Sequence, residues 1–304
     1  MTREELNEEI HKEIEIEEKQ RKTKKLIKNI IKGIIFLIIF SFSFFTYTTY
    51  VSTTKTKVRE YRIINQKLPS TYNGLKIIQL SDIHFGTTIF NNEIKKIKNL
   101  SNERKPDIVV FTGDLIDKNY DLSSKEQEKL IKELKKINAS LGKYAIFGDE
   151  DNEKIATIFN QSDFTILRNE YDLIYKNDNN PILLVGISSS NKDQDLNKAY
   201  SYFQEQTHNS NIYTIAILHE PDTVDDIIGT YPTDLFLAGH SHNGNIRIPI
   251  INFPLQRVNG ALKYNQDFYE INNAKLYISS GLGTKKGIRL FCRPSINFFR
   301  LSNQ

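Results

Sequence analysis

The pattern of apolar and polar positions divides the chain near residue 58. Ahead of that point lies one uncharged, mostly apolar run, from Gly33 through Ile34-Ile35-Phe36-Leu37-Ile38-Ile39-Phe40 to Val51, 19 positions without a charge. Such a run is about long enough to cross a bilayer core of roughly 30 Å. Its aromatic end, Phe44-Phe45-Thr46-Tyr47 with Tyr50, suits the membrane interface. Only a weak small-residue match, Val51-Ser52-Thr53-Thr54, follows it, so the pattern predicts an uncleaved transmembrane helix rather than a signal peptide. After residue 58 short β-branched runs alternate with stretches of helical period. Strands are expected over 75–80, 107–111 and 143–147, with helices over 91–101 and 124–137 between them, and further strands over 182–186, 212–218, 235–238 and 276–279. Alternation of this kind implies parallel strands joined by right-handed crossovers, with ligands gathered beyond the carboxyl ends of the strands.

Charge sharpens this division into four segments: a charged cytoplasmic tail (1–26), an anchor (27–51), a linker (52–57) and one domain (58–304). The tail's Glu/Lys-rich stretch, 2–20, is compatible with a solvated helix or a disordered polar segment. Lys19, Arg21, Lys22, Lys24, Lys25, Lys28 and Lys32 precede the apolar run, against Lys55, Lys57, Arg59, Arg62 and Lys67 after it. The later five belong to a long domain, which translocates largely regardless of charge, so the earlier cluster places the N-terminus in the cytoplasm and the domain outside the cell membrane. The net charge of +4 lies partly in that cluster and points to anionic lipid headgroups rather than nucleic acid. The single cysteine, Cys292, excludes an intrachain disulfide and a cysteine-based metal site.

Five polar strings each follow an apolar run: Ser81-Asp82-Ile83-His84, Gly113-Asp114-Leu115-Ile116-Asp117, Gly148-Asp149-Glu150-Asp151, His219-Glu220 and Gly239-His240-Ser241-His242. Asp82 and His84 stand two apart, so in an extended loop both turn toward one cation, a hard oxygen beside a borderline nitrogen. Asp114 offers two carboxylate oxygens after a glycine that permits a sharp turn, which makes it the natural bridging ligand. His219, His240 and His242 add three imidazoles, with Gly239 and Gly244 allowing close approach. Four of the six histidines lie in these strings; His11 and His208 sit in polar stretches and are set aside.

In this order the strings resemble those of the calcineurin-like metallophosphoesterases. The segment Gly281-Leu282-Gly283 through Ile288-Arg289-Leu290-Phe291-Cys292-Arg293-Pro294, with Ile246-Arg247-Ile248-Pro249, resembles the membrane-anchored bacterial members. The resemblance covers 58–304 and implies a four-layer α/β/β/α sandwich preceded by the transmembrane helix. It also implies two divalent ions, one held by Asp82, His84, Asp114 and His242, the other by Asp114, His219, His240 and Asp149. Mn²⁺ is the expected metal, with Fe and Zn²⁺ suited by the same donors.

The third string departs from the family's Gly-Asn-His-Asp/Glu. Asp149 keeps a ligating oxygen but adds a negative charge. Glu150 stands where the family has a histidine that helps protonate the leaving group. Glu150 and Asp151 are the catalytic candidates of this string, but a glutamate of reference pKa about 4.3 near cations is ionised at neutral pH and cannot donate a proton. Bonds whose leaving group is already a stable anion, phosphoanhydrides and aryl phosphates, are then the favoured substrates. Arg289 is a candidate phosphate contact, with an internal ion pair as its alternative. The function implied is a membrane-anchored phosphohydrolase acting on a phosphodiester or pyrophosphate, lipid-linked or nucleotide-linked. The alternatives are a relative that binds metal and phosphate with reduced or no catalysis, and an interaction protein working through its N-terminal helix.

Overall fold

The structure, a computed structural model, describes residues 2–177, 179–190, 192–205, 211–248 and 253–304. His208 and Pro249 lie outside the described residues. The chain forms two compact units, Met1–Thr48 and Thr49–Gln304.

The first unit is a long helix, α1 (Arg3–Thr46). The Glu/Lys-rich stretch and most of the apolar run are therefore one continuous helix, and no structural break marks residue 26. Leu, Ile, Glu and Lys are good or adequate helix formers, and Gly33 is the one glycine and the chain lacks proline over this span. Its apolar side chains are exposed, Phe36 at 67% and Phe42 at 72%. Among the described residues it is the one helix long and apolar enough to cross a membrane.

The second unit begins with a short α2 (Ser52–Thr54). Its first sheet draws on β1 (Lys57–Ile64), β2 (Leu75–Leu80), β3 (Ile108–Thr112), β4 (Gly142–Ile146) and β5 (Thr165–Ile166). Then come β6 (Glu170–Ile174), β7 (Ile182–Gly186), β8 (Thr214–Ile217) and β9 (Leu235–Ala238). The short β10 (Arg247–Ile248) and β11 (Phe253–Pro254) precede β12 (Phe268–Ile271), β13 (Ala274–Ile278) and β14 (Ser295–Ser302). Among the described residues these make two six-stranded sheets, ordered β1-β14-β2-β3-β4-β5 and β12-β13-β9-β8-β7-β6, with β10 and β11 as a separate pair. Strands β2, β3 and β4 pair in parallel, as do β7, β8, β9 and β13.

Apolar side chains of each sheet point both ways. Ile78 and Leu80 of β2, with Val109 and Phe111 of β3, pack beneath the helices α3 (Asn91–Glu103), α4 (Ser124–Lys135) and α5 (Glu153–Gln161). Leu75, Ile77, Ile108 and Val110 on the opposite faces meet Ile215, Ile217, Leu235 and Leu237 of the second sheet. Ala216, Phe236 and Ala238 point away into a third cluster with Ala199 of α6 (Leu196–Ala199), Tyr202 of α7 (Tyr202–Glu205) and Val224 of α8 (Val224–Ile227). Helices, sheet, sheet and helices give the four-layer α/β/β/α sandwich. Burial on both faces is why the central strands read as continuous β-branched runs instead of alternating ones. The helices are set by their ends: Ser123 and Glu126 form a capping box for α4, and Asn152 caps α5. The pattern does not anticipate β1, β5, β6, β10, β11, β12 and β14, or the helices α5, α6, α7 and α8. In β1 the charges of Lys57, Arg59, Glu60 and Arg62 interrupt the apolar signal, because the strand lies at the sheet edge with one side wet.

Candidate metal centre

Asp82 follows β2, Asp114 follows β3 and Asp149 follows β4, while His219 follows β8 and His240 and His242 follow β9. The parallel pairing brings these five strand ends to one place, as the alternating pattern implied. Asp82, His84, Asp114, His219, His240 and His242 are all buried. Asp82, His84, Asp114, His240 and His242 adopt the left-handed backbone region, with φ of 49°, 43°, 60°, 65° and 45°. Non-glycine residues there are uncommon and carry about 1–3 kcal/mol of strain each. The strain is held by the loops' own bonds, Asp82 N–H to Gly113 O at 2.9 Å and His84 N–H to Asp114 O at 3.2 Å. Close approach requires glycine at two junctions. A side chain at Gly113, whose φ is +98°, would begin 2.4 Å from His219 Nδ1, and one at Gly239 would begin 2.1 Å from Ser81 Oγ and 2.8 Å from Asp82 Oδ2.

The donor atoms fall into two groups joined by one carboxylate. In the first, His242 Nε2 is 3.6 Å from Asp82 Oδ1 and 3.0 Å from His84 Nε2. In the second, Asp149 Oδ1 is 3.0 Å from His219 Nε2 and 3.2 Å from His240 Nδ1. Asp114 Oδ2 stands between them, 3.6 Å from His84 Nε2 and 3.4 Å from His219 Nε2. Backbone carbonyls orient two of the rings: Thr112 O lies 2.7 Å from His219 Nδ1, and Asn259 O lies 2.7 Å from His240 Nε2. Each takes an N–H on its side and leaves the other ring nitrogen facing the cluster.

This donor set fits divalent cations. Asp114 Oδ2, His84 Nδ1 and Glu150 Oε2 are buried without a hydrogen-bond partner among the described residues. Two imidazole Nε2 atoms 3.0 Å apart can share at most one proton between them. The field points the same way. Burial pushes the Asp114 carboxyl up, but the His219 and His84 imidazoles more than offset it and hold it at about 2. Burial opposes the charge of Asp149 as well, yet His219 and His240 keep it far below the usual carboxylate range. Burial lowers His219, and Asp114 and Asp149 raise it well above its ordinary value. Positive charge is favoured at this point of the molecule, whether protons or cations carry it. His242 is the exception: burial, then the charges of His84 and Arg289, push it well down, leaving a neutral imidazole able to ligate.

The third string separates into different roles. The Asp149 carboxylate joins His219 and His240, as a ligand there would. Glu150 Oε2 lies 3.3 Å from His84 Nδ1, and Glu150 Oε1 lies 2.8 Å from Lys285 Nζ and 3.8 Å from Lys118 Nζ. Burial pushes the Glu150 carboxyl up, while His84 and Lys285 bring it below its ordinary range. On its other side Glu150 borders a cleft of about 300 Å³, also lined by Tyr120, Leu122, Lys154 and Ile155.

Two expectations need correction. Asp151, a catalytic candidate in the sequence, turns its carboxylate to backbone N–H groups of Asp114 (2.7 Å), Leu115 (2.9 Å) and Gly148 (2.8 Å). It clamps the second string to the third, and burial with the nearby Asp114 charge pushes its carboxyl up to about 6. Arg289 is fully buried, and its guanidinium donates to the carbonyls of Gly283 (2.6 Å), Gly281 (3.3 Å) and Cys292 (3.4 Å). It braces the last loop beneath His242, neither contacting solvent nor, among the described residues, pairing with a carboxylate, so it is not placed to receive a phosphate. Lys285 went unnoticed in the sequence, although it follows the quoted Gly281-Leu282-Gly283 by two positions.

Buried carboxylates and imidazoles gathered at the strand ends of two facing sheets are a candidate site for metal ions. The family model described as calcineurin-like phosphoesterase matches residues 75–244. The chain belongs to this family and is a metallophosphoesterase, a hydrolase of phosphoric ester bonds. It is 30% identical over 268 residues to the metallophosphoesterase YkuE of Bacillus subtilis strain 168, covering 84% of this chain and 89% of that protein. It is 25% identical to the phosphodiesterase YaeI of Escherichia coli K12, over 74% of this chain and 82% of that one. It is also 28% identical to the UDP-2,3-diacylglucosamine pyrophosphatase LpxG of Chlamydia muridarum, over 78% of this chain and 87% of that one.

Proposed function

We propose that the protein is a membrane-anchored, two-metal phosphohydrolase that cleaves a phosphodiester or pyrophosphate bond, with a lipid-linked or nucleotide-linked phosphate as substrate. The observation that carries this reading is Asp114 Oδ2, placed between the His84/Asp82/His242 group and the His219/Asp149/His240 group. Asp82, His84, His242 and Asp114 would hold one ion, and Asp114, Asp149, His219 and His240 the other, with Mn²⁺ the metal to try first. Two such ions, when bound, stabilise charge on phosphoryl oxygens and on the oxygens that enter and leave. The chain's own residues shape the rest. Thr112 O and Asn259 O fix the ring orientations, and Asp151 fixes the loop that carries Asp114. With Glu150 ionised, no side chain at the motif's histidine position offers a proton, so good leaving groups are preferred. The cleft beside Glu150 gives the leaving group a half-apolar recess.

Residues 27–51 serve as the anchor, with residues 1–26 in the cytoplasm, a linker at 52–57, and the domain 58–304 on the outer face of the cell membrane. The names of YaeI and LpxG, a phosphodiesterase and a pyrophosphatase, support the bond type. The test is Mn²⁺-dependent hydrolysis of a bis-aryl phosphodiester by the full chain in detergent, with Asp114→Ala as the control. Turnover lost in the variant is the expected result. An inactive wild-type protein that still binds metal would replace this reading with that of a phosphate-binding relative. Protection of an N-terminal tag from protease in intact cells tests the orientation.

A further inference from the structure

We infer that Lys285, held by Glu150, is the residue that grips the substrate's phosphoryl oxygens at the edge of the metal cluster, a role that rests on the phosphohydrolase reading. The family's histidine position carries a carboxylate here, and that carboxylate has a cationic partner from a distant loop. Lys285 Nζ is 2.8 Å from Glu150 Oε1 and 3.9 Å from Asp114 Oδ2. The two members of the pair differ in access. The Glu150 side chain is 4% exposed and that of Lys285 is 34% exposed, so of the pair the ammonium is the more accessible to a ligand entering from solvent.

The ammonium has three donors. One is used by Glu150, and the 3.9 Å separation from Asp114 Oδ2 puts the ammonium at the edge of the candidate cluster, within reach of a phosphate held there. Glu150 is in turn fixed by its backbone N–H to Asp114 Oδ1 at 3.0 Å and by its second oxygen beside His84. Glu150 is thus a positioning residue and Lys285 the contact. Exchanging an imidazole for a Glu-Lys pair removes a proton donor near neutral pH but keeps a positive group at the phosphate. The loop that delivers Lys285 is anchored by Gly283 N–H to Asp82 O at 2.7 Å and by Arg289 on the carbonyls of Gly281 and Gly283, which fixes the lysine's base against the first ligand loop. Arg289 therefore serves phosphate recognition indirectly, through Lys285.

The experiment uses the full chain in detergent with Lys285→Met, Lys285→Arg, Glu150→Gln and, as a control, Lys286→Ala, each first checked for bound metal by elemental analysis. With metal content unchanged, Lys285→Met is expected to lower kcat/KM for a phosphodiester by about 10²-fold, the usual cost of one lost oxyanion donor. Its affinity for inorganic phosphate, measured by calorimetry, should fall about 10-fold, as for a lost hydrogen bond between charged groups. Lys285→Arg should recover most of the affinity, Glu150→Gln should weaken phosphate binding less than Lys285→Met, and Lys286→Ala should match wild type. Phosphate affinity and kcat/KM within twofold of wild type in metal-replete Lys285→Met would overturn the inference. If the wild-type protein turns over nothing, calorimetry still decides. Phosphate binding that depends on Lys285 would support the contact while the hydrolytic reading fails, and binding indifferent to Lys285 would end both.

Discussion

The two sheets bring unlike chemistry to one place. The loops after β2, β3 and β4 supply the candidate ligand carboxylates Asp82, Asp114 and Asp149, with a single imidazole, His84. The loops after β8 and β9 supply three candidate imidazoles, His219, His240 and His242, and, among the described residues, no carboxylate of these groups. Left alone, the first half is a cluster of buried negative charges, which burial and mutual repulsion make costly. The second half alone is a set of neutral donors with little to attract a hard cation. Their difference teaches that the site is a property of the interface between sheets, and that the attraction between halves draws on charge of opposite tendency. A buried chain of side chains fastens that interface just below the ligands. Gln79 donates to Ala238 O across the sheets at 2.9 Å and to Thr112 Oγ1 at 3.1 Å, and accepts from Asn297 Nδ2 at 3.0 Å.

The largest disturbance of this pairing is removal of whatever cation the two halves share. Exhaustive chelation is expected to cut phosphodiester turnover by more than about 10³-fold, since metal stabilisation of transition-state charge is worth several kcal/mol. Readdition of Mn²⁺ should restore it, and persistence of activity in metal-free protein would refute the shared-cation view. His219→Ala attacks the imidazole half alone. Elemental analysis should find one metal ion fewer per chain, with the Asp82/His84/His242 group still loaded, and turnover should fall by about 10²–10³-fold, the scale of one lost charge-stabilising contact. Loss of both ions would show that the halves do not load separately.

Gly239→Ala wedges the junction itself, because the new methyl would begin 2.1 Å from Ser81 Oγ. Overpacking of this kind costs about 1–3 kcal/mol, which a thermal or denaturant melt reads directly. Asp149→Asn makes the gentlest change, removing one negative charge while keeping an oxygen beside His219 and His240. Metal affinity should fall about tenfold, on the order of 1.4 kcal/mol. A negative charge raises the pKa of neighbouring acids, so its removal should move the acid limb of the pH–rate profile to lower pH. An unmoved profile would show that Asp149 is electrically silent.

Much of this architecture is legible in the chain because it is written in short-range terms. Strands β2, β3, β8 and β9 are mostly apolar runs ended by polar strings, and the candidate ligands occupy those ends in order. What escaped detection depends on long-range direction. Nothing in Gly148-Asp149-Glu150-Asp151 says that the last carboxylate turns inward to backbone N–H groups while the one before it faces Lys285. Sequence places Arg289 near other recognisable residues, but its burial among carbonyls follows from the course of the final loop. The left-handed backbone at Asp82, His84 and Asp114 is similarly hidden, since residues of these types commonly adopt ordinary extended or helical angles. Strand β1 was obscured by its charges, and β14 by its late position in the chain, far from the strands it joins.

That late strand imposes an order on assembly. β14 lies between β1 and β2, parallel to one and antiparallel to the other, and its Asn297 bonds Gln79 across a separation of 218 residues. While the polypeptide is being made, β1 has no neighbour and the first sheet has an open slot beside β2. Closing so long a loop is slow relative to local contacts. The carboxylate loops therefore wait until β14 has been made before their floor is complete, and a growing chain has no finished first sheet before that point.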